Sequence, residues 1–169
     1  MGNNIEDLKQ LAEQGDAIAK FNLGVCYFRG DGVTQDTKQA IYWYTKAAEQ
    51  GDRISQCYLG YAYSKGTGVK KDDKEAFFWY KKAAEQGDVQ SQFNIGVRYA
   101  NGTGVRQNVK KAVYWYTEAA EQGYAKAQYK LGGAYDWGLG VKQDARKALY
   151  WFTKAAESWT CKSAVWSRN

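Results

Sequence analysis

Histidine is missing from all 169 residues, which removes the commonest general base and the commonest metal ligand together. Proline is missing too, so every chain reversal must rest on glycine. Cysteine is scarce. Cys26, Cys57 and Cys161 form no CxxC pair and recur at no fixed interval, whereas a disulfide framework needs an ordered spacing. Cys57 fills a slot held elsewhere by Phe21, Phe93 and Tyr129, so it reads as a small apolar filler, and reduced thiols are expected. No stretch approaches the roughly 18 consecutive apolar residues of a membrane span. The N-terminal Met-Gly-Asn-Asn-Ile-Glu-Asp has neither the basic start nor the apolar run of a secretory leader. The expected location is cytoplasmic for the sequence as it stands, and periplasmic or secreted if a leader has been removed. Serine and threonine have no histidine to activate them, and neither GxSxG nor a glycine-rich phosphate loop appears. Catalysis and a bound cofactor or metal are therefore not expected.

What is present is an ordered, mildly basic chain. It is 44% hydrophobic and 16% aromatic, with a net charge of +6. Counting Lys and Arg against Asp and Glu gives −2 for residues 1–15, then 0, +2, +1 and +3 over the next four 36-residue blocks, and +2 for the tail. No block of five or six like charges occurs, so the surface is solvated with a gradient toward its C-terminal end.

The blocks are repeats. Ala-Ala-Glu-Gln-Gly or a close variant closes at Gly15, Gly51, Gly87 and Gly123, always 36 residues apart. A unit of that length cannot bury its own apolar face, so copies must stack into a solenoid. Within Asp16–Gly51, Asp16 is a natural N-cap, and Ala19, Leu23 and Tyr27 recur four apart as one buried stripe. Gly24 sits mid-helix, at about 1 kcal/mol against alanine. Its return as Gly60, Gly96 and Gly132 indicates that a backbone or aromatic ring comes too close for a side chain. Gly30 is placed to end this first helix in the left-handed conformation. Asp36 opens the second helix, with Gln39 completing a capping-box pattern. Ala40, Trp43, Tyr44, Ala47 and Ala48 then form a broad amphipathic face.

Each copy is thus a helix–turn–helix hairpin: 16–51, 52–87, 88–123 and 124–159. Residues 4–15 align with the second half of a copy and present Glu6 and Asp7 where others carry Tyr42 and Trp43, as a terminal capping helix requires. Ser158-Trp159 breaks the Gln-Gly closure. Residues 160–169 read either as a short cap, with Val165 and Trp166 covering the last helix, or as a frayed end.

The unit AxxxxxLGxxYxxGxGVxxDxxKAxxWYxKAAEQG resembles the Sel-1-like repeat, a relative of the tetratricopeptide repeat. Copy two carries it as Leu59-Gly60, Tyr63, Gly66, Gly68-Val69, Asp72, Lys74, Ala76, Trp79-Tyr80 and Ala83-Ala84-Glu85-Gln86-Gly87. The resemblance implies a single all-α domain over 1–169, an α/α solenoid wound as a right-handed superhelix of four repeats with a half-repeat cap. It also implies an adaptor or scaffold role, with bacterial relatives active in host interaction or signalling. Secreted relatives with a cysteine pair in every repeat differ from this chain, which lacks those pairs.

Comparing copies separates two jobs. Positions identical in every copy meet a shared geometric need. Trp43, Trp79, Trp115 and Trp151 are of this kind, and their expected role is packing between repeats. Positions that vary at one exposed slot are where recognition can live. On the first helix four such slots share one face: Ile18/Ile54/Gln90/Lys126, Asn22/Tyr58/Asn94/Lys130, Val25/Tyr61/Val97/Gly133 and Arg29/Lys65/Asn101/Trp137. In tetratricopeptide-like folds this helix lines the concave wall. The candidate partner-binding residues are Asn22, Arg29, Tyr58, Tyr61, Lys65, Asn94, Lys126, Lys130 and Trp137. Asparagine donates and accepts to a peptide group, Lys130 suits a carboxylate, and exposed Tyr and Trp anchor interfaces. The expected partner is a protein or peptide, of acidic character toward the Lys126/Lys130 end.

Two rivals stay open. Lys70-Lys71, Arg106, Lys110-Lys111, Lys142 and Arg146-Lys147 cluster at the starts of second helices, a basic rim for nucleic acid or another acidic ligand. Interleaved acids and the lack of a stacking platform argue against it. An unfinished stacking face on the last copy is the basis for self-association, with a homodimer as its simplest form.

Overall fold

The computed structural model describes the backbone of residues 5–166 and the side chains of residues 5–158. Among the described residues every regular element is a helix: α1 (Ile5–Glu13), α2 (Ala17–Arg29), α3 (Thr37–Glu49), α4 (Arg53–Lys65), α5 (Asp73–Glu85), α6 (Val89–Asn101), α7 (Val109–Glu121), α8 (Ala125–Trp137) and α9 (Ala145–Trp166). Packing divides the chain into two units, Met1–Asp88 with α1–α5 and Val89–Asn169 with α6–α9. Within each unit every helix packs on the next in sequence. The architecture is an all-α solenoid of helical hairpins.

Caps set where the helices begin. The Asp16 and Asp52 carboxylates accept the N–H groups of Ala19 and Ser55 at 2.7 and 2.6 Å. Asp36 and Asp72 each accept two N–H groups, and Asn108 accepts from Lys111 at 3.0 Å. Tyr124, standing where an aspartate stands elsewhere, makes no side-chain cap bond; its ring packs on Phe93 at 5.3 Å instead. The capping box expected of Asp36 and Gln39 forms by half. Asp36 accepts from the Gln39 N–H, but its own N–H donates to the Tyr27 carbonyl at 2.9 Å. The tight turn brings that carbonyl within reach, and Asp72, Asn108 and Asp144 bond to Tyr63, Tyr99 and Tyr135 in the same way. The turn itself needs Gly30, which has φ 83° and donates to the Cys26 carbonyl.

The interior alternates small and large. Leu23, Leu59, Ile95 and Leu131 are wholly buried. Each Gly24-type position lies under the ring of the second helix: a Cβ at Gly24, Gly60, Gly96 or Gly132 would sit 2.7, 2.5, 2.6 or 2.8 Å from Tyr44, Tyr80, Tyr116 or Phe152. The approaching group is therefore the aromatic of the Trp-Tyr pair. The tryptophan of that pair is buried at Trp79 and half-buried at Trp43, Trp115 and Trp151. Trp79, 8% exposed, joins Ala40, Tyr44, Ala48 and Leu59 in one cluster, so it sits on the hairpin that precedes its own. Burying about 150–250 Å² of such a side chain contributes about 4–6 kcal/mol before entropy is counted. Trp43 lies against the cluster of Leu8, Ala12, Ala19 and Leu23 that joins α1 to α2.

A polar ladder runs beside this core. Gln56 is buried and its Nε2 donates to the Ala48 carbonyl. Gln86, from the Gln-Gly closure, donates to the Gly51 carbonyl at 3.0 Å and to Gln56 Oε1 at 2.8 Å. Gln122 bonds Gln92 likewise. At the ends Lys20 with Gln50 and Ser158 with Gln128 substitute for the pair. The closing glutamine thus locks a second helix to the first helix of the same repeat.

Past Ser158 the helix does not stop. Second helices that close with Gln-Gly end at Glu49, Glu85 and Glu121, whereas α9 continues to Trp166, because no glycine is there to turn the chain. The covering role expected of Val165 and Trp166 concerns side chains outside the described residues, as does the reduced state expected of Cys161. Cys26 and Cys57 are half-buried and lie outside any disulfide.

Candidate functional site

Most of the varied slots are open to solvent, but Val25 and Val97 are half-buried, Val25 against the cluster of Tyr44 and Leu59. Asn22 and Arg29 are exposed on α2, Tyr58, Tyr61 and Lys65 on α4, and Lys126, Lys130 and Trp137 on α8; Asn94 on α6 is half-buried. Spacings of three and four residues put each helix's set on one face.

In the first unit the structure gathers part of this set around Tyr44. The Tyr58 ring stacks on Tyr44 at 5.3 Å and 8° between planes, while Phe21 lies 5.9 Å from Tyr44 and 6.3 Å from Tyr58. Burial holds the Tyr44 phenol far above its ordinary range; Tyr58 adds to that shift, and the positive charge of Arg29 opposes it. Tyr58 still leaves 44% of its surface to solvent, so it offers a ring that is fixed from behind and open in front. Tyr61 and Lys65 continue the exposed face of α4.

In the second unit two of the candidates, Lys130 and Trp137, border a groove that Asn94 and Lys126 do not line. It encloses about 400 Å³ between α6, α7, α8 and α9, and its lining includes Asn101, Val109, Lys130, Gly133, Trp137 and Leu139. Tyr116 forms part of its wall, and burial raises that phenol to about 12. Trp137 is 76% exposed and Val109 and Leu139 are also exposed. Asn101 and Gly133 occupy varied slots but are not among the candidate residues. Val109 and Leu139 lie at the edges of turns, outside the helical periodicity that selected the candidates, and only the fold brings them to Lys130.

A second row of exposed rings lies on the second helices. Tyr42, Phe78, Tyr114 and Tyr150 each meet the following tryptophan edge-on at 5.0–5.2 Å, and Lys46 and Lys82 sit over Tyr42 and Phe78. These rings shield the tryptophans from water. The basic rim is exposed too, but three of its cations are engaged: Lys71 lies 3.8 Å from the Asp73 carboxylate, Lys111 5.4 Å over Tyr99 and Lys147 5.2 Å over Tyr135. Among the described residues no helix is long and apolar enough to cross a membrane, and no cluster of three or more metal-ligating side chains occurs.

With this geometry in place, comparison with known proteins is informative. The Sel1 repeat family model matches residues 17–52, 53–88, 89–124 and 125–158. A protective antigen of uropathogenic Escherichia coli strains, whose crystal structure displays an SLR fold, is 43% identical and superposes over 96% of this chain and 36% of its own with a TM-score of 0.87. A Sel1 repeat protein of Oxalobacter formigenes is 44% identical over 90% of this chain and 62% of its own, with a TM-score of 0.79. The secretory immunoglobulin A-binding protein EsiB of Escherichia coli O6:H1 is 48% identical over 48 residues, which are 28% of this chain and 10% of that protein. The chain therefore spans only a part of the length of these relatives.

Proposed function

The chain belongs to the Sel1 repeat family, and from that premise we propose that it is a non-enzymatic scaffold that holds a protein or peptide partner on the exposed side of its first helices, α2 and α4 in the first unit and α6 and α8 in the second. Sel1-repeat proteins generally mediate protein–protein interactions. One observation carries the choice of face. The side chains common to the repeats are spent on packing, as with Leu23, Tyr44 and Trp79, while most side chains at the slots that differ between repeats are exposed and include Tyr58, Tyr61, Lys126, Lys130 and Trp137. Such residues anchor interfaces when they are already held in position. Tyr58, stacked on buried Tyr44, meets that condition.

The relative that binds secretory immunoglobulin A shares only a short stretch with this chain, so the class carried over is a protein partner rather than an immunoglobulin. The basic rim has weaker support as a recognition surface, because Lys111 and Lys147 are drawn over tyrosine rings.

The test is affinity capture with the full chain against two variants, Tyr58→Ala/Tyr61→Ala and Lys126→Glu/Lys130→Glu. Loss of a partner in either variant supports the face. Capture of the same partners by both variants and by the parent protein moves the site elsewhere.

A further inference from the structure

Gly133 stands beside a glycine that the fold requires, yet the fold does not require Gly133. A Cβ on Gly132 would meet the Phe152 ring at 2.8 Å, whereas a Cβ on Gly133 would meet nothing within 4 Å. The equivalent slot in the other repeats carries Val25, Tyr61 and Val97. A glycine in mid-helix sacrifices about 1 kcal/mol relative to alanine, and no packing or backbone conformation recovers it here. What the missing side chain does is leave space between Lys130 and Trp137, which flank it one turn to either side on α8.

That space is the groove of the second unit. Its volume of about 400 Å³ falls at the lower end of the roughly 300–1,000 Å³ typical of sites for organic groups, which suits one large side chain rather than a folded edge. Its rim leaves Trp137, Val109 and Leu139 in water, an apolar arrangement that favours an occupant. The charge is one-sided. Among the described residues no carboxylate lines the groove, Lys130 borders it, and Lys126 lies one turn away on the same face of α8. Neither lysine has a carboxylate partner among the described residues, although Lys9, Lys46, Lys81 and Lys154 do. Asn101 adds an amide able to pair with a peptide group.

Resting on the interaction reading above, we propose that this groove is a pocket for one large apolar side chain of an acidic, extended peptide segment, opened by Gly133 and flanked by Lys126, Lys130 and Trp137. The side chain fills the volume that Val25, Tyr61 and Val97 deny to the other repeats. The neighbouring carboxylates meet the two unpaired lysines.

The probe is a fluorescein-labelled peptide, Gly-Asp-Glu-Phe-Glu-Asp-Gly, titrated with the full chain by fluorescence anisotropy. Two control peptides replace Phe by Ala, or every acid by Lys. Saturable binding of the acidic Phe peptide is expected, at least about 10-fold weaker when Phe is Ala, and declining with salt as the screening length falls from about 10 Å at 0.1 M to about 3 Å at 1 M. Gly133→Leu and Lys126→Glu/Lys130→Glu each weaken it at least about 10-fold, while Lys38→Glu, an exposed charge reversal on α3, leaves it unchanged. Gly133→Ala, which fits the open space, retains binding and raises the Tm by about 2–4 °C, and a far-UV circular dichroism spectrum and cooperative melt of Gly133→Leu like those of the parent protein separate its loss of binding from loss of fold.

No saturable binding, equal binding of the Ala peptide, or unaltered binding by Gly133→Leu each overturns the pocket. A protein partner that is lost from Tyr58→Ala/Tyr61→Ala but kept by Gly133→Leu removes the pocket and leaves the broader interaction reading standing.

Discussion

Replacing a helical glycine by alanine should have opposite signs at two slots of this solenoid, and the structure supplies the magnitudes. At Gly60 an added Cβ would lie 2.5, 2.6 and 2.8 Å from three ring atoms of Tyr80, which is itself buried. Ordinary carbon contacts are about 3.5–4.0 Å, so ring or helix must retreat by roughly 1 Å. Forcing a methyl into a packed core costs about 1–3 kcal/mol, and three simultaneous clashes put Gly60→Ala near the upper end. Helix propensity returns about 1 kcal/mol, leaving a net loss of about 2 kcal/mol. At Gly133 the added methyl enters open space, so only the propensity gain of about 1 kcal/mol remains. Gly132→Ala should fall between the two, because Phe152 is only half-buried and can yield. Urea unfolding followed by far-UV circular dichroism measures all three. A neutral or stabilising Gly60→Ala, or a destabilising Gly133→Ala, refutes the packing argument.

Three further outcomes follow from the same contacts. Gln86→Leu leaves the buried Gln56 Oε1 and the Gly51 carbonyl without the amide that serves them, and should lower urea stability by about 1–3 kcal/mol. Asp52→Ala removes the 2.6 Å cap bond to Ser55 and should lower it by about 1 kcal/mol. The third concerns pH. Burial raises the Tyr116 phenol from 10.0 to about 12, so the folded state disfavours the phenolate. Its contribution is complete below pH 10 and is lost as the unfolded chain ionises first, through about pH 12, a change of roughly 2–3 kcal/mol. Stability measured at pH 8 and pH 11 should therefore converge in Tyr116→Phe relative to the parent protein, and an unaltered difference would contradict the burial of that hydroxyl.

The helical hairpins were legible because their signals are local. An aspartate before an alanine-rich run, a glycine after it and a four-residue stripe state the helix without knowledge of anything distant. Gly24 and its equivalents were also legible as close approaches, since a costly residue returned at every period. The glutamine ladder was not. Gln86 reads as part of a polar closing turn, and its partner Gln56 is thirty residues earlier, so neither points to the other until the hairpin folds. The capping box was read from side-chain spacing alone, which cannot show that the Tyr27 carbonyl arrives first. The run-on of α9 could have been read: Ser158-Trp159 lacks the glycine that ends the other second helices. The candidate slots on the first helices were identified by variation, but the groove was not, because Val109 and Leu139 join it from turns whose periodicity says nothing about α8.

Two adjacent glycines show why repetition within one chain is a sharper guide than composition. Gly132 recurs in every repeat and is pressed by Phe152, so its missing side chain belongs to the packing plan that all hairpins share. Gly133 occurs once, has open space where a Cβ would stand, and replaces Val25, Tyr61 and Val97. The same chemical absence has one meaning where it is repeated and another where it is singular. By that logic Trp151 and Trp137 also divide, one sheltered edge-on beneath Tyr150 as its counterparts are in every hairpin, the other held out in solvent at a slot occupied elsewhere by Arg29, Lys65 and Asn101. A packing role accounts for the first. Leaving an indole in water needs another account, and the groove that it borders with Lys130 supplies one that titration with a single peptide can test.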